Sequence, residues 1–241
     1  MLLTRLPVGR FARPEVAPDM ARCVWAFPVV GSVVNLAAGL VYWLARDAGL
    51  PPLLAAAWTM VAIALLTGAL HEDGLADTAD GFGGGATPAR KLEIMRDSRI
   101  GSYGALARLL SVVVRVAAIT TLDQPRAVVI ALVLAGMLGR SAMVVLLLLL
   151  QPARRDGMGA SVAKPPIGSA AVGLGVSIAA SFVLLPLRPA LAAVVFGAGA
   201  SLLLARMAAA RIGGYTGDVL GATEMVTECV ALTALAGAFS A

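Results

Sequence analysis

The sequence predicts an all-α fold: a polytopic bundle of about seven transmembrane helices with short cytoplasmic catalytic loops, forming one integral membrane domain over residues 1–241. Three observations predict it. Hydrophobic residues make up 59% of the chain and charged residues 14%, with a mean hydropathy of +0.89, whereas soluble chains carry about 25% charged residues. Several apolar runs approach the ~20 residues that a helix needs to cross a ~30 Å hydrocarbon core. Strand-type alternation is absent, which argues against a β-barrel.

The spans read as 24–45, 52–70, 105–122, 127–150, 168–187, 190–210 and 223–240. Arg108 and Arg115 interrupt the third, and Glu224 and Glu228 the seventh. Met1–Arg22 carries Arg5, Arg10, Arg13 and Arg22 without a sustained apolar core, so it does not read as a signal peptide. Orientation follows from the basic residues. Twelve Lys and Arg fall in one alternating set of segments (around 5–22, 90–99, 154–164 and 211), and three, Arg46, Arg126 and Arg188, in the other. The positive-inside rule then puts the N-terminus and every long loop in the cytoplasm, in the cytoplasmic (inner) membrane, and the C-terminus outside. The net charge of +5 and pI near 9.9 are accounted for by those loops, so nucleic acid is not an expected partner; the lipid bilayer is. Cys23 and Cys229 lack metal-ligand spacing and read as packing residues.

Carboxylates cluster on the same side. Glu72, Asp73, Asp77, Asp80, Glu93, Asp97, Asp218, Glu224 and Glu228 are nine of the fourteen Asp and Glu residues. If a helix runs through His71–Gly85, Asp73, Asp77 and Asp80 fall at about 0°, 40° and 340° around its axis. Like charges at that spacing repel one another. A hard divalent cation such as Mg²⁺ removes the repulsion, whereas a solvated helix end with capping acids would merely tolerate it. Gly81–Gly85 should end the helix.

Thr87-Pro88 reads as an N-cap and first helical position. The short helix after it carries Arg90, Lys91, Arg96, Asp97 and Arg99 as far as Gly101, with Leu92 and Met95 resting on the membrane surface. Its cations are candidates for holding a pyrophosphate, set against a plain positive-inside charge. Farther on, Gly213, Gly214, Gly217 and Gly221 imply a tightly turned backbone. Glu224 and Glu228 follow within or near the bilayer, where ionisable groups need a partner: a metal, Arg140 or Arg206. His71, the only histidine, is either a general base or a local hydrogen-bonding group.

Two stretches resemble a known family. Thr67–Gly81 is similar to the signature of the cobalamin synthases, the adenosylcobinamide-GDP ribazoletransferases, and so is Lys91–Gly104. Leu3–Pro7, Phe27–Gly31, Gly214–Asp218 and Gly221–Thr223 resemble further family segments, in order along most of the chain. The resemblance implies a Mg²⁺-dependent transferase joining α-ribazole, or its 5′-phosphate, to adenosylcobinamide-GDP, with release of GMP and formation of adenosylcobalamin or its 5′-phosphate. The cobalt belongs to the substrate.

A hydroxyl attacking a pyrophosphate diester needs in-line positioning and charge neutralisation, which carboxylate-held Mg²⁺ supplies. The resulting expectation takes Glu72, Asp73, Asp77, Asp80 and Glu224 as metal ligands and Asp77, Asp80 and Glu228 as catalytic groups. Asp97, Arg99, Thr216 and Asp218 are the expected substrate contacts. A homo-oligomer or other enzymes of the pathway are compatible with the sequence but not visible in it. Two alternatives stand beside this reading. A CDP-alcohol phosphotransferase of lipid synthesis would need an Ala-Arg pair shortly after Asp73-Gly74, where Leu75-Ala76-Asp77 stands. A cation-coupled transporter would hold its carboxylates at the bilayer midplane, whereas the richest cluster here lies between spans.

Overall fold

The computed structural model describes residues 4, 19–154, 162 and 164–240. Most of the N-terminal segment, including Arg5–Arg13, and Arg155 lie outside the described residues. The elements are α1 (Phe27–Asp47), α2 (Pro52–Thr67), α3 (Leu70–Gly84), α4 (Pro88–Ile94), α5 (Ser102–Leu122), α6 (Pro125–Leu149), α7 (Ile167–Leu184), α8 (Leu187–Ile212) and α9 (Gly217–Ser240). Extended chain pairs at one place among the described residues, where Pro152 meets Tyr215. The all-α polytopic bundle predicted from composition is what the chain forms.

Among the described residues, six helices are long and apolar enough to cross a bilayer alone. The expected second span is different. It does not run on to residue 70 but stops at Thr67, and α3 leaves it at 90°. Gly68 (φ 68°) and Ala69 (φ 55°) both adopt the left-handed conformation. The Thr67 hydroxyl accepts the Ala69 N–H at 3.2 Å, sealing the corner. At 1.5 Å per residue the 16 residues of α2 reach about 24 Å, just short of a full hydrocarbon core. The corner therefore turns α3 away from the direction of α2.

α6 and α9 form the centre, burying 78% and 72% of their membrane-length windows; the other single spans bury 22–44%. Their neighbours turn large side chains such as Leu65, Ile167 and Val183 outward, as lipid-facing helices do. Close helix approach rests on small residues: a Cβ on Gly31 would lie 2.2 Å from the Gly136 carbonyl oxygen, so α1 and α6 touch backbone to backbone.

The core has two apolar parts. One joins Tyr42, Ala56, Ile119, Leu132 and Leu232; the other joins Phe27, Phe82, Met95, Leu147 and Val219. Along α6 the change from one to the other brackets Arg140, and along α9 it brackets Glu224 and Glu228. A charged layer separates the two.

Three local expectations are corrected. The helix begun by Thr87, whose hydroxyl accepts the Arg90 N–H at 3.3 Å, ends at Ile94 rather than near Gly101. Met95 does not rest on a membrane surface but is buried against Gly81 and Phe82. The last span starts at Gly217, earlier than 223.

Candidate active site

The site is built where α3 crosses α9. Gly74 makes the crossing possible: a Cβ there would stand 2.8 Å from the Asp218 carbonyl oxygen and 3.2 Å from its Cα. Gly221 answers it, its own Cβ position lying 3.4 Å from the Cα of His71 and 3.5 Å from that of Gly74. Two backbones in contact bring the α3 aspartates beside Asp218. Because α3 is one continuous helix, Asp73, Asp77 and Asp80 do share a face. Their surroundings separate them.

Asp73 is exposed and pairs with Arg108 at 2.9 Å. Asp77, half-buried, has no hydrogen-bonding or ion-pair partner among the described residues and lies in the combined field of Asp73, Asp218, Asp80 and Arg108. Asp80 is buried and accepts the Gly101 N–H at 2.7 Å and the Gly104 N–H at 2.9 Å. Both bonds fall at the start of α5, where unsatisfied N–H groups and the helix dipole favour an anion. Asp80 thus fastens α3 to α5.

Asp218 pairs with Arg154 at 3.2 Å and accepts the Thr216 hydroxyl at 3.1 Å. That hydroxyl also accepts the Val219 N–H at 3.2 Å, so buried Thr216 caps α9 and orients Asp218. Asp97 and Arg99 pair with each other at the surface at 2.7 Å. Hydrogen bonds from Arg99 hold the Asp97 carboxyl down at about 2. Lys91 and Arg211 both donate to the Phe82 carbonyl, Arg211 at 2.6 Å, so these cations close the C-terminal end of α3.

Beneath lies the charged layer. Arg115 donates to Glu72 at 3.0 Å and to Glu228 at 3.5 Å, and Arg140 to Glu224 at 2.7 Å. All five side chains are buried. His71 Nδ1 stands 3.4 Å from Glu224 Oε2 without completing a hydrogen bond, and its Nε2 has no partner. Of the partners expected for the two glutamates, Arg140 is found for Glu224, while Arg206 is exposed. Sequence reasoning missed Arg115 as the partner of Glu228, Arg108 as the partner of Asp73 and Arg154 as the partner of Asp218. The signal for the first two was present: Arg108 and Arg115 interrupt an apolar span two turns apart, and charge inside a span marks function or pairing.

Among the described residues, no three His, Cys, Asp or Glu side chains are assembled around a common point for a metal. The donor chemistry nevertheless suits a hard cation at one place. Asp73, Asp77 and Asp218 are open carboxylates of two touching helices, one unpaired and two held by arginine. Glu72, Glu224 and Glu228 are enclosed in ion pairs instead, and Asp80 in backbone hydrogen bonds.

A family model described as cobalamin-5-phosphate synthase matches residues 1–236. The chain belongs to the cobalamin-5-phosphate synthase family. Among curated proteins, it is 46% identical over 230 residues to one from Bradyrhizobium diazoefficiens, covering 95% of this chain and 88% of the relative. It is 44% identical to one from Sinorhizobium medicae, covering 97% and 92%, and 42% identical to one from Azorhizobium caulinodans, covering 93% and 88%. Each of these relatives is named adenosylcobinamide-GDP ribazoletransferase; none is a phospholipid synthase or a transporter. No solved structure matches the chain. In this cobalamin-5-phosphate synthase family member, the α3 crossing sets the unpaired Asp77 among Asp73 and Asp218, each held by an arginine.

Proposed function

We propose that this chain joins α-ribazole, or its 5′-phosphate, to adenosylcobinamide-GDP at the α3–α9 crossing. A ribose hydroxyl oxygen bonds to the phosphorus that carries the cobinamide side of the pyrophosphate. The bond from that phosphorus to the bridging oxygen breaks, and GMP leaves with the bond's electron pair. The hydroxyl proton passes to a carboxylate oxygen of the site. The observation that carries the reading is the unpaired Asp77 at a backbone-to-backbone helix crossing, in a chain matched to the family over nearly its whole length.

Mg²⁺ is the proposed cofactor, with Asp77, Asp73 and Asp218 the residues that would hold it. When bound, it would supply charge neutralisation for the phosphoryl oxygens. The chain's own residues do the remaining work. Asp80 fixes the α3 helix against α5, Thr216 orients Asp218, and Glu72, Glu224 and Glu228 tie α3 and α9 to Arg115 and Arg140. We place the site at the cytoplasmic face of the inner membrane, on the distribution of basic residues.

Asp77→Asn tests the reading. In purified protein with both substrates, Mg²⁺-dependent GMP release should fall by on the order of 10²–10³-fold, the loss typical of removing one charge-stabilising group. Membrane insertion should be unchanged. A parental rate would remove Asp77 from the site.

A further inference from the structure

Two arginines paired with the carboxylates that neighbour the unpaired Asp77 have hydrogen-bonding capacity left over. Arg108 touches Asp73 through Nη2, and its Nε is buried without a partner. Arg154 touches Asp218 through Nη2, and its Nη1 is likewise buried without a partner. Sheltered donors with no acceptor are costly, and these two belong to arginines already held on carboxylates of the site. Several basic groups at this end are engaged elsewhere: Lys91 and Arg211 with the Phe82 carbonyl, Arg90 with Glu93, and Arg99 with Asp97. Arg115 and Arg140 are buried within the bundle, each 1% exposed.

The geometry points to Arg108 and Arg154 as the residues that bind the substrate's pyrophosphate, having first held Asp73 and Asp218 in the empty enzyme. This rests on the function proposed above and moves the pyrophosphate away from the Arg90–Arg99 segment. A guanidinium bound to one carboxylate by a single N–H has a planar edge remaining for a phosphate. The two arginines come from α5 and from the chain just after α6, and their carboxylates flank Asp77 on α3 and α9. A cation on the carboxylates competes with the guanidiniums for the same oxygens. The arrangement explains why the carboxylates are not assembled around a common point while the arginines hold them.

The experiment uses the full chain purified in detergent, with Arg108→Gln and Arg154→Gln, each also made as Lys. Mn²⁺ affinity is measured without substrate by electron paramagnetic resonance. The KM for adenosylcobinamide-GDP and the inhibition constant of inorganic pyrophosphate are measured under saturating Mg²⁺. In each Gln variant KM and the inhibition constant should rise about tenfold or more, the scale of one charge-assisted hydrogen bond. Mn²⁺ should bind as tightly as in the parent, or more tightly, because its competitor is gone. The Lys variants should recover part of the loss. A KM and inhibition constant within twofold of the parent overturn the proposal, and so does weakened Mn²⁺ binding with an unchanged KM, which would mean that the arginines only shape the carboxylates. A parent chain that binds no Mn²⁺ and releases no GMP overturns the function itself, an outcome distinct from failure of the arginine variants alone.

Discussion

Asp80 shows how one side chain dictates its neighbours. A Cβ on Gly101 would fall 2.3 Å from Asp80 Oδ1, and one on Gly104 2.3 Å from Oδ2 and 2.8 Å from the Ala76 carbonyl oxygen. Glycine at both positions lets the carboxylate sit directly on the N–H groups that open α5. Gly104→Ala should push Asp80 off both bonds and destabilise the protein by about 1–3 kcal/mol, the usual cost of overpacking. Gly175→Ala and Gly199→Ala are the controls, since nothing lies within 4 Å of either added methyl. Thermal unfolding in detergent should show a clear loss for the first and no loss for the other two. Equal behaviour of all three would mean that the Asp80 contact is not what holds α5 in place.

At the scale of helices, buried charge is tied in pairs that join elements distant in sequence. Arg140 on α6 meets Glu224 on α9, and Arg115 on α5 meets Glu72 on α3 and Glu228 on α9. Removing one partner of such a pair leaves a buried charge and typically costs about 3–5 kcal/mol, whereas replacing both with apolar groups is often nearly neutral. Arg140→Leu should therefore unfold at a markedly lower temperature than the parent, and Arg140→Leu with Glu224→Leu should recover most of the difference. A double variant as unstable as the single one would show that Glu224 is not the burden. These pairs also mark how far the sequence could be read. The aspartate face of α3 was legible because helical spacing is local, and so was the Thr87-Pro88 start of α4. The tasks of Glu72, Asp80 and Glu228 were not, because their partners arrive from elsewhere in the chain. The corner after α2 was missed because Ala69 gives no sign in its side chain of a left-handed backbone. The early start of α9 was missed although Thr216, a good capping residue, stood in place.

Across the whole molecule, contacts sort the connections into two ends. Arg46 at the end of α1 pairs with Asp123 in the α5–α6 turn at 3.0 Å, and the Tyr42 hydroxyl donates to the Asp123 carbonyl at 2.9 Å. At the other end, the chain after α6 pairs with the chain before α9 through Tyr215 N–H to the Gln151 carbonyl at 2.9 Å. There too Arg211 reaches Phe82 at 2.6 Å, and Ser169 donates to the Arg22 carbonyl at 2.8 Å. The acidic α3, the basic α4 and the glycine-rich turn before α9 thus share one end of the bundle, and the α5–α6 turn lies at the opposite one. If the basic end faces the cytoplasm, as its charge predicts, single cysteines should report it in a background with Cys23 and Cys229 replaced. Gln124→Cys, exposed in the α5–α6 turn, should react with a membrane-impermeant maleimide added outside spheroplasts. Ser98→Cys, exposed beyond α4, should react only in inverted vesicles or after lysis. The reverse pattern would invert the bundle and put the aspartates outside. Reaction of both from one side would mean that α5 does not cross the membrane, and the arrangement of α3, α5 and α9 around Asp77 would then need a different relation to the bilayer.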